Sequence, residues 1–166
     1  MKKRWICLFV ENEIGVLARI SGLFSSKSYN IDSLTVGETE DKTISRMTII
    51  LTSDDKTFEQ VKKQLNRCVE VIKVVDYTDI PVHMKEILYV KISKCNDKDK
   101  AEAFRIASVF GLTVADYDKS TVLLECVQTE QRNNEVIALL KKTFVNRIEV
   151  VRGGSVAIEG ISICER

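Results

Sequence analysis

The chain has 166 residues, which is enough for one domain or two small ones. Apolar residues make up 45% and charged residues 30%, a composition typical of folded globular proteins and not of disordered chains. The 25 Lys and Arg residues are balanced by 24 Asp and Glu residues, so the net charge of +1 argues against a strongly basic nucleic-acid-binding protein. No apolar run approaches the roughly 20 residues of a membrane-spanning helix.

The N-terminus has basic residues followed by an apolar run, as a signal peptide does. The run at residues 5–10 ends at Glu11-Asn12-Glu13, and no small-residue cleavage site follows. We therefore predict a first β-strand and a cytoplasmic protein. The cysteines agree, because their number is odd, their spacing is wide and no Cys-x-x-Cys motif occurs. We expect reduced thiols at Cys7, Cys68, Cys95, Cys126 and Cys164.

Groups suited to catalysis are scarce. His83 is the single histidine and lies beside the only proline, Pro81, in a stretch typical of a linker. A zinc site would need clustered Cys and His side chains, and a nucleophilic system would have to use this one histidine. The Gly153-Gly154 pair separates two short apolar runs and predicts a hairpin turn, not a phosphate-binding loop. We predict no catalytic residue and no metal site.

The first half of the chain alternates strand and helix patterns. Strands are predicted at residues 5–10, 31–37, 45–52 and 71–75. A first helix is predicted from apolar residues at helical spacing, ending near Asn30 in a left-handed cap: Val16, Leu17, Ile20, Leu23 and Phe24. A second helix follows the capping residues at 53–55, with an apolar face of Phe58, Val61, Leu65 and Cys68. The order is βαββαβ.

The same order recurs more weakly after a linker at residues 79–84. Strands are predicted at residues 87–92, 112–115, 121–127, 148–151 and 155–158. One helix begins at Asp97 or Asp99, uses Ala101, Phe104 and Ala107, and ends at Gly111; another uses Val136, Ile137, Leu140 and Phe144. We predict an α+β protein of two tandem ferredoxin-like sandwiches, at residues 1–78 and 85–166. Each sheet would have one bare face, which favours self-association.

The loop between the first strand and the first helix is the strongest candidate site. A helix N-terminus offers unpaired N–H groups and a partial positive charge to a carboxylate. Gly15 allows close approach to the backbone, and Asn12 offers a donor and an acceptor to an α-amino acid. Asn30 and Ile31 lie ~18 Å away at the other end of the helix, so they could reach only a ligand held by a neighbouring chain. The alternative is that both asparagines are simple caps and Gly15 a turn residue.

Several segments resemble one family closely. Residues 10–24, 29–36, 45–49 and 64–76 resemble the small, regulatory subunit of acetolactate synthase (acetohydroxyacid synthase), which begins with an amino-acid-sensing ACT domain. Residues 85–92 and 149–154 resemble the second domain of that family more loosely. The resemblance implies ACT domains that dimerise into one continuous sheet, with valine bound at their interface. It places Asn12, Ile14, Gly15, Val16 and Leu17 of one chain, and Asn30 and Ile31 of the other, at that site.

The resemblance also implies a function. Such subunits bind the large catalytic subunit, raise its activity and confer feedback inhibition by valine in branched-chain amino acid (valine, leucine, isoleucine) biosynthesis. Thiamine diphosphate, FAD and Mg²⁺ belong to the large subunit, so this chain is expected to hold no cofactor. Two positions depart from the family: Ile14 stands where relatives often have Pro or Ser, and the tract at residues 157–160 lacks the usual arginine.

Two other functions are compatible with the element order. A free-standing ACT-domain sensor could regulate another protein, although the length and the second domain argue against it. An RNA-recognition module would share the βαββαβ order, but it needs base-stacking aromatics on the sheet. The predicted third strand at residues 45–52 has none. We therefore expect no nucleic acid and no membrane among the partners.

Overall fold

A computed structural model describes residues 1–161, so the predicted thiol at Cys164 lies outside the described residues. The chain divides into two compact units. Unit 1 comprises residues 1–83 together with the segment from Val156, and unit 2 comprises Met84–Ser155. Within residues 1–161, no helix is long and apolar enough to cross a membrane.

Unit 1 has the predicted βαββαβ order. Its elements are β1 (Lys2–Glu11), α1 (Val16–Ser26), β2 (Ser33–Glu38), β3 (Ile44–Ser53), α2 (Asp55–Leu65) and β4 (Val71–Asp76). The strands form an antiparallel sheet in the order β2-β3-β1-β4, so β2 and β4 are its edges. The fold class predicted from the sequence is confirmed for this unit.

The core of unit 1 lies between one face of the sheet and the two helices. Alternate residues of β1 and β3 face it, as predicted from their period of two, and the helices contribute every third or fourth residue. The buried set is Ile6, Leu8, Val10, Met47, Ile49, Leu51, Val16, Ile20, Phe24, Phe58, Val61 and Leu65. Two details of α1 differ from the prediction. Leu17 is 43% exposed, and the left-handed residue after the helix is Ser28 (φ 57°) instead of Asn30.

The other face of this sheet is not bare, contrary to the expectation. Cys7, Thr48 and Ile50 are buried there. Arg46 lies across the face, with its guanidinium 5.3 Å from the centre of the Phe9 ring. It donates to the Tyr77 hydroxyl (2.9 Å) and to the carbonyl of Ala157 (2.6 Å), within the C-terminal segment that belongs to unit 1. A β-sheet face that carries apolar side chains needs such cover, and the returning chain supplies part of it.

The second half of the chain repeats the order. Its elements are β5 (Val82–Ile92), α3 (Asp97–Phe110), β6 (Thr113–Tyr117), β7 (Val122–Gln128), α4 (Glu130–Thr143) and β8 (Ile148–Glu159). They form a second four-stranded sheet in the order β6-β7-β5-β8. α3 ends at Gly111, as predicted, and the structure shows this glycine in a left-handed conformation. β5 already begins at Val82, so the last part of the predicted linker is strand. Residues 82–84 alternate between apolar and polar side chains, which is a strand pattern that the prediction did not use.

Two predictions for unit 2 are wrong. The buried face of α3 consists of Ala103, Ile106 and Ala107; Ala101 is exposed and Phe104 lies at the surface. β8 is one continuous strand and not two strands joined by a hairpin at Gly153-Gly154. A Cβ built on Gly153 would lie 2.5 Å from Cγ2 of Ile87. Gly153 therefore allows β8 to pack closely against a residue of β5. In the sequence, a glycine pair with this packing role has the same pattern as a turn.

Candidate functional site

The loop between β1 and α1 ends in a helix N-terminus that no side chain caps. Gly15 is the N-cap residue, with φ 92° and ψ −12°, and α1 has no acidic residue in its first turn. A Cβ on Gly15 would meet nothing within 4 Å, so the space in front of the backbone is open. The Val16 N–H makes a long hydrogen bond to the carbonyl of Glu13 (3.4 Å), and the N–H groups that follow it in the first turn, with their partial positive charge, are available to an anion.

A cavity of about 310 Å³ lies beside this helix end. The helix, the two inner strands and the edge strand β2 contribute its apolar lining, which consists of Val10, Val16, Leu17, Val36 and Met47. Its polar lining consists of Glu11, Asn12, Glu13, Gly37, Glu38 and Ser45. Leu17 and Val36 are 43% and 48% exposed, so the apolar wall is open on the side of the sheet edge. The cavity matches a small ligand with one apolar side.

Asn12 holds this loop against the sheet. Its Nδ2 donates to the carbonyl of Lys42 (2.9 Å) and to Oε1 of Glu38 (3.3 Å), and its Oδ1 accepts from the hydroxyl of Ser45 (3.0 Å). Both amide hydrogens are therefore engaged within the chain, whereas the carbonyl oxygen keeps one free lone pair. Of the donor and acceptor that the sequence suggested for Asn12, the acceptor is the one left for a ligand.

The structure brings together some of the predicted site residues and leaves others apart. Asn12, Val16 and Leu17 line the cavity, and Gly15 forms the helix cap beside it. Ile14 points fully into solvent, with a relative exposure of 103%. Asn30 is exposed and Ile31 packs against the core at the far end of α1, about 16 Å from Gly15 along an eleven-residue helix. Their assignment to a valine site stays a prediction.

The contribution of residues from β2 and β3 to the cavity was not predicted from the sequence. Val36, Glu38, Ser45 and Met47 all line the cavity, and none was predicted as a site residue. The backbone register places Ser45 opposite both Val10 and Glu38, and Met47 opposite both Leu8 and Val36. The alternation of β3, which does face Met47 to the core, was the available signal; the pairing of β2 with β3 in this register was not visible in the sequence.

The chemistry of the cavity matches a small zwitterion with an apolar side chain. The helix end can bind a carboxylate, the acceptors on the opposite side can bind an ammonium group, and the apolar wall can contact an aliphatic group. Among residues 1–161, no group of three or more His, Cys, Asp or Glu side chains could hold a metal ion. A βαββαβ fold with a small-molecule cavity at the end of its first helix is the architecture of the ACT class of regulatory domains.

Comparison with known proteins identifies the family. Residues 6–73 match the family model described as the AHAS small subunit-like ACT domain, and residues 85–161 match the model of the small subunit of acetolactate synthase. The chain therefore belongs to the family of acetolactate synthase small subunits, the regulatory subunits of that enzyme. The family and the regulatory role predicted from the sequence are confirmed.

Individual relatives agree over almost the whole chain. The acetolactate synthase small subunit of Aquifex aeolicus is 40% identical over 158 residues, which cover 95% of this chain and 81% of the relative. A probable acetolactate synthase small subunit of Archaeoglobus fulgidus is 36% identical, with 94% of this chain and 96% of the relative covered. The crystal structure of the Thermotoga maritima small subunit superposes with a TM-score of 0.87 at 30% identity, covering 98% of this chain and 99% of that one.

Proposed function

We propose that this chain binds valine in the cavity at the N-terminus of α1 and transmits that binding to the large catalytic subunit of acetolactate synthase. The observation that supports this most directly is the apolar cavity of about 310 Å³ beside an uncapped helix end. The regulated pathway is branched-chain amino acid biosynthesis. Thiamine diphosphate, FAD and Mg²⁺ belong to the large subunit in this proposal, and the protein acts in the cytoplasm, as its free thiols Cys7, Cys68, Cys95 and Cys126 support.

The binding mode follows from the charges and surfaces of the cavity. The carboxylate of valine accepts from the N–H groups at the start of α1. Its ammonium group donates to Oδ1 of Asn12, the acceptor that intrachain hydrogen bonds leave available. The isopropyl group contacts Leu17, Val36 and Met47.

A second copy of the chain completes the site in this proposal. β2 is an edge strand and Val36 is 48% exposed on it. Unpaired edges of this kind are suited to pairing with the same edge of another molecule. Asn30 and Ile31 of the second copy would then cover the open side of the cavity, which one chain cannot do with its own far helix end.

Regulation then works by linkage. Valine binds two states of the complex with different affinities and shifts the population toward the inhibited state. A coupling free energy of about 1–3 kcal/mol is typical of such systems. The large subunit supplies the chemistry, and this chain supplies only the difference in valine affinity between the states.

A thermal unfolding scan with each amino acid at millimolar concentration tests ligand binding. A ligand at a hundredfold its dissociation constant stabilises the native state by about 2.7 kcal/mol. We expect a shift with L-valine, a weaker one with leucine and isoleucine, and none with D-valine. If the chain alone shows no shift, the scan is repeated on its complex with the large subunit. Absence of a valine shift there as well contradicts the proposal.

A reconstituted enzyme assay locates the site. Gly15→Asp puts a carboxylate in front of the helix end, so we expect loss of valine inhibition with activation of the large subunit retained. Gly22→Asp is the matched control, because it makes the same change on an exposed face of the same helix, away from the cavity. Full valine sensitivity in the Gly15 variant places the site elsewhere.

A further inference from the structure

The edge strand β2 ends in a carboxylate on the face where its other two residues are apolar. Alternate residues of β2 face the helices: Leu34 packs against the core and Val36 lines the cavity. The next residue on this face is Glu38, which also lines the cavity. It stands opposite Ser45, which in turn stands opposite the buried Val10. Val10, Ser45 and Glu38 thus form a row across three neighbouring strands, and this row places Glu38 on the face of the sheet that borders the cavity.

Glu38 has no cation to balance it in the described part of the chain. Its side chain accepts one hydrogen bond, from Nδ2 of Asn12 at 3.3 Å. None of the ion pairs among residues 1–161 includes it. An ionised carboxylate has about four acceptor positions, so most of its capacity remains open.

The two other acids near the cavity are placed differently. Glu11 also lines the cavity, but it follows Val10 in β1, so strand alternation turns it away from the row that Glu38 shares with Ser45 and Val10. Glu11 and Glu13 both also line a separate depression, which Lys42 lines as well. Glu38 is the acid that belongs to the row of residues facing the cavity and does not line that second depression.

We propose that Glu38 binds the ammonium group of the effector, next to Oδ1 of Asn12, and makes the site selective for an α-amino acid over a carboxylic acid of the same carbon skeleton. This inference rests on the proposed function, because it assigns a role within the same valine site. The helix end binds the negative group of the zwitterion and Glu38 binds the positive one. The side chain then lies on the apolar wall between them.

Selectivity arises when the second copy covers the cavity. An exposed carboxylate contributes little to binding because water screens it. When the second copy covers the cavity, the Glu38 carboxylate loses its contact with water. A ligand without an ammonium group then leaves this carboxylate buried and unpaired. A ligand with the ammonium group replaces the lost water with a charge-assisted hydrogen bond.

The test compares two ligands on the full-length chain by NMR chemical-shift titration, which reaches millimolar dissociation constants. The probes are L-valine and 3-methylbutanoate, which keeps the carboxylate and the carbon skeleton but has no ammonium group. The variant is Glu38→Gln, whose amide oxygen can still accept from Asn12. The control is Glu40→Gln, an identical change of charge at an exposed residue of the turn after β2.

We expect Glu38→Gln to raise the dissociation constant of valine about tenfold or more and not to raise that of 3-methylbutanoate, because the variant has no carboxylate that this ligand would leave buried and unpaired. Glu40→Gln should leave both unchanged. Equal weakening of both ligands would mean that Glu38 acts only by holding Asn12, and unchanged valine affinity would mean that it plays no part; either result overturns the inference alone. Wild-type protein that binds valine neither alone nor with the large subunit overturns the proposed function as well.

Discussion

Gly15 combines a left-handed backbone conformation with open space, and these two properties can be separated. Its φ of 92° lies in the region that side chains disfavour, yet a Cβ there would meet nothing within 4 Å. Gly22 in the same helix also has open space, but its φ is not positive. The two glycines therefore differ in backbone conformation and not in steric room.

Alanine substitutions should have opposite effects at these two residues. Gly15→Ala should lower the free energy of unfolding by about 1–2 kcal/mol, the cost of a left-handed residue with a Cβ. Gly22→Ala should raise it by about 0.5–1 kcal/mol, because alanine loses less backbone entropy in a helix. Urea denaturation of both variants measures the difference. A neutral Gly15→Ala would show that the loop relaxes out of the left-handed conformation without cost.

Among the secondary-structure elements, β8 depends on a glycine for its contact with β5. Gly153 has no side chain at the point where Ile87 of β5 approaches, and an added Cβ would lie 2.5 Å from Cγ2 of Ile87. Ile87 is 38% exposed, so its side chain can give way in part. The glycine pair is thus a packing feature of a continuous strand.

This contact predicts a compensating pair of substitutions. Gly153→Ala should lower the free energy of unfolding by about 1–3 kcal/mol through overpacking. In an Ile87→Ala background the clashing methyl group is gone, so the same change should cost clearly less. A double-mutant cycle from urea denaturation measures the coupling. Additive effects would contradict the close contact.

A bidentate ion pair joins α3 to the start of β8. Arg147 donates from Nη1 to Oδ2 of Asp99 at 2.8 Å and from Nη2 to Oδ1 at 3.2 Å. Asp99 is also the N3 residue of a capping box, in which it accepts from the backbone N–H of Asn96 at 3.0 Å. The hydrogen bond from Arg147, followed by that from Asn96, lowers the pKa of Asp99 below its ordinary 3.8.

The sign of the pH dependence follows from that lowered pKa. A carboxyl whose pKa is lower in the folded state stabilises the protein fully above its unfolded pKa and loses this effect as the pH falls through the folded pKa. The difference in unfolding free energy between wild type and Asp99→Asn should therefore be constant from neutral pH down to about pH 5 and shrink below about pH 4. Denaturation curves at several pH values measure it. A difference independent of pH would indicate that the charge of Asp99 does not stabilise the fold.

For the whole molecule, the distribution of the proposed site over two chains is directly testable. Asn12 and Asn30 lie at opposite ends of α1, and of these two residues only Asn12 lines the cavity. In a mixed dimer of Asn12→Ala and Asn30→Ala chains, one site receives both defects and the other is intact. Random mixing should restore valine binding to about one quarter of all sites.

The two variants are purified separately, unfolded and refolded together, and valine binding is counted by equilibrium dialysis. Each variant refolded alone is the control and should bind little valine. If the mixture binds no more than the separate variants, either the site takes both asparagines from one chain or neither asparagine serves it, and the two-chain site is wrong.

The element order could be predicted because hydrophobic periodicity is local. The period of two in β1 and β3 and the helical spacing of Val16, Ile20 and Phe24 led to the right core face in unit 1. The same reasoning failed for α3, whose small alanines leave several helical faces equally apolar. It failed for β8 because a glycine pair in a strand and one in a turn have the same local pattern.

The sequence by itself determined the family and the two βαββαβ units, and it singled out the loop before α1 as the candidate site, since the pattern behind each of these lies in neighbouring residues. Tertiary structure decided what surrounds that loop. Val36 and Met47 come to the cavity through strand pairing, and Asn12 uses its amide hydrogens on Lys42 and Glu38. These partners are 20 or more residues away along the chain, and only the register of the sheet brings them together.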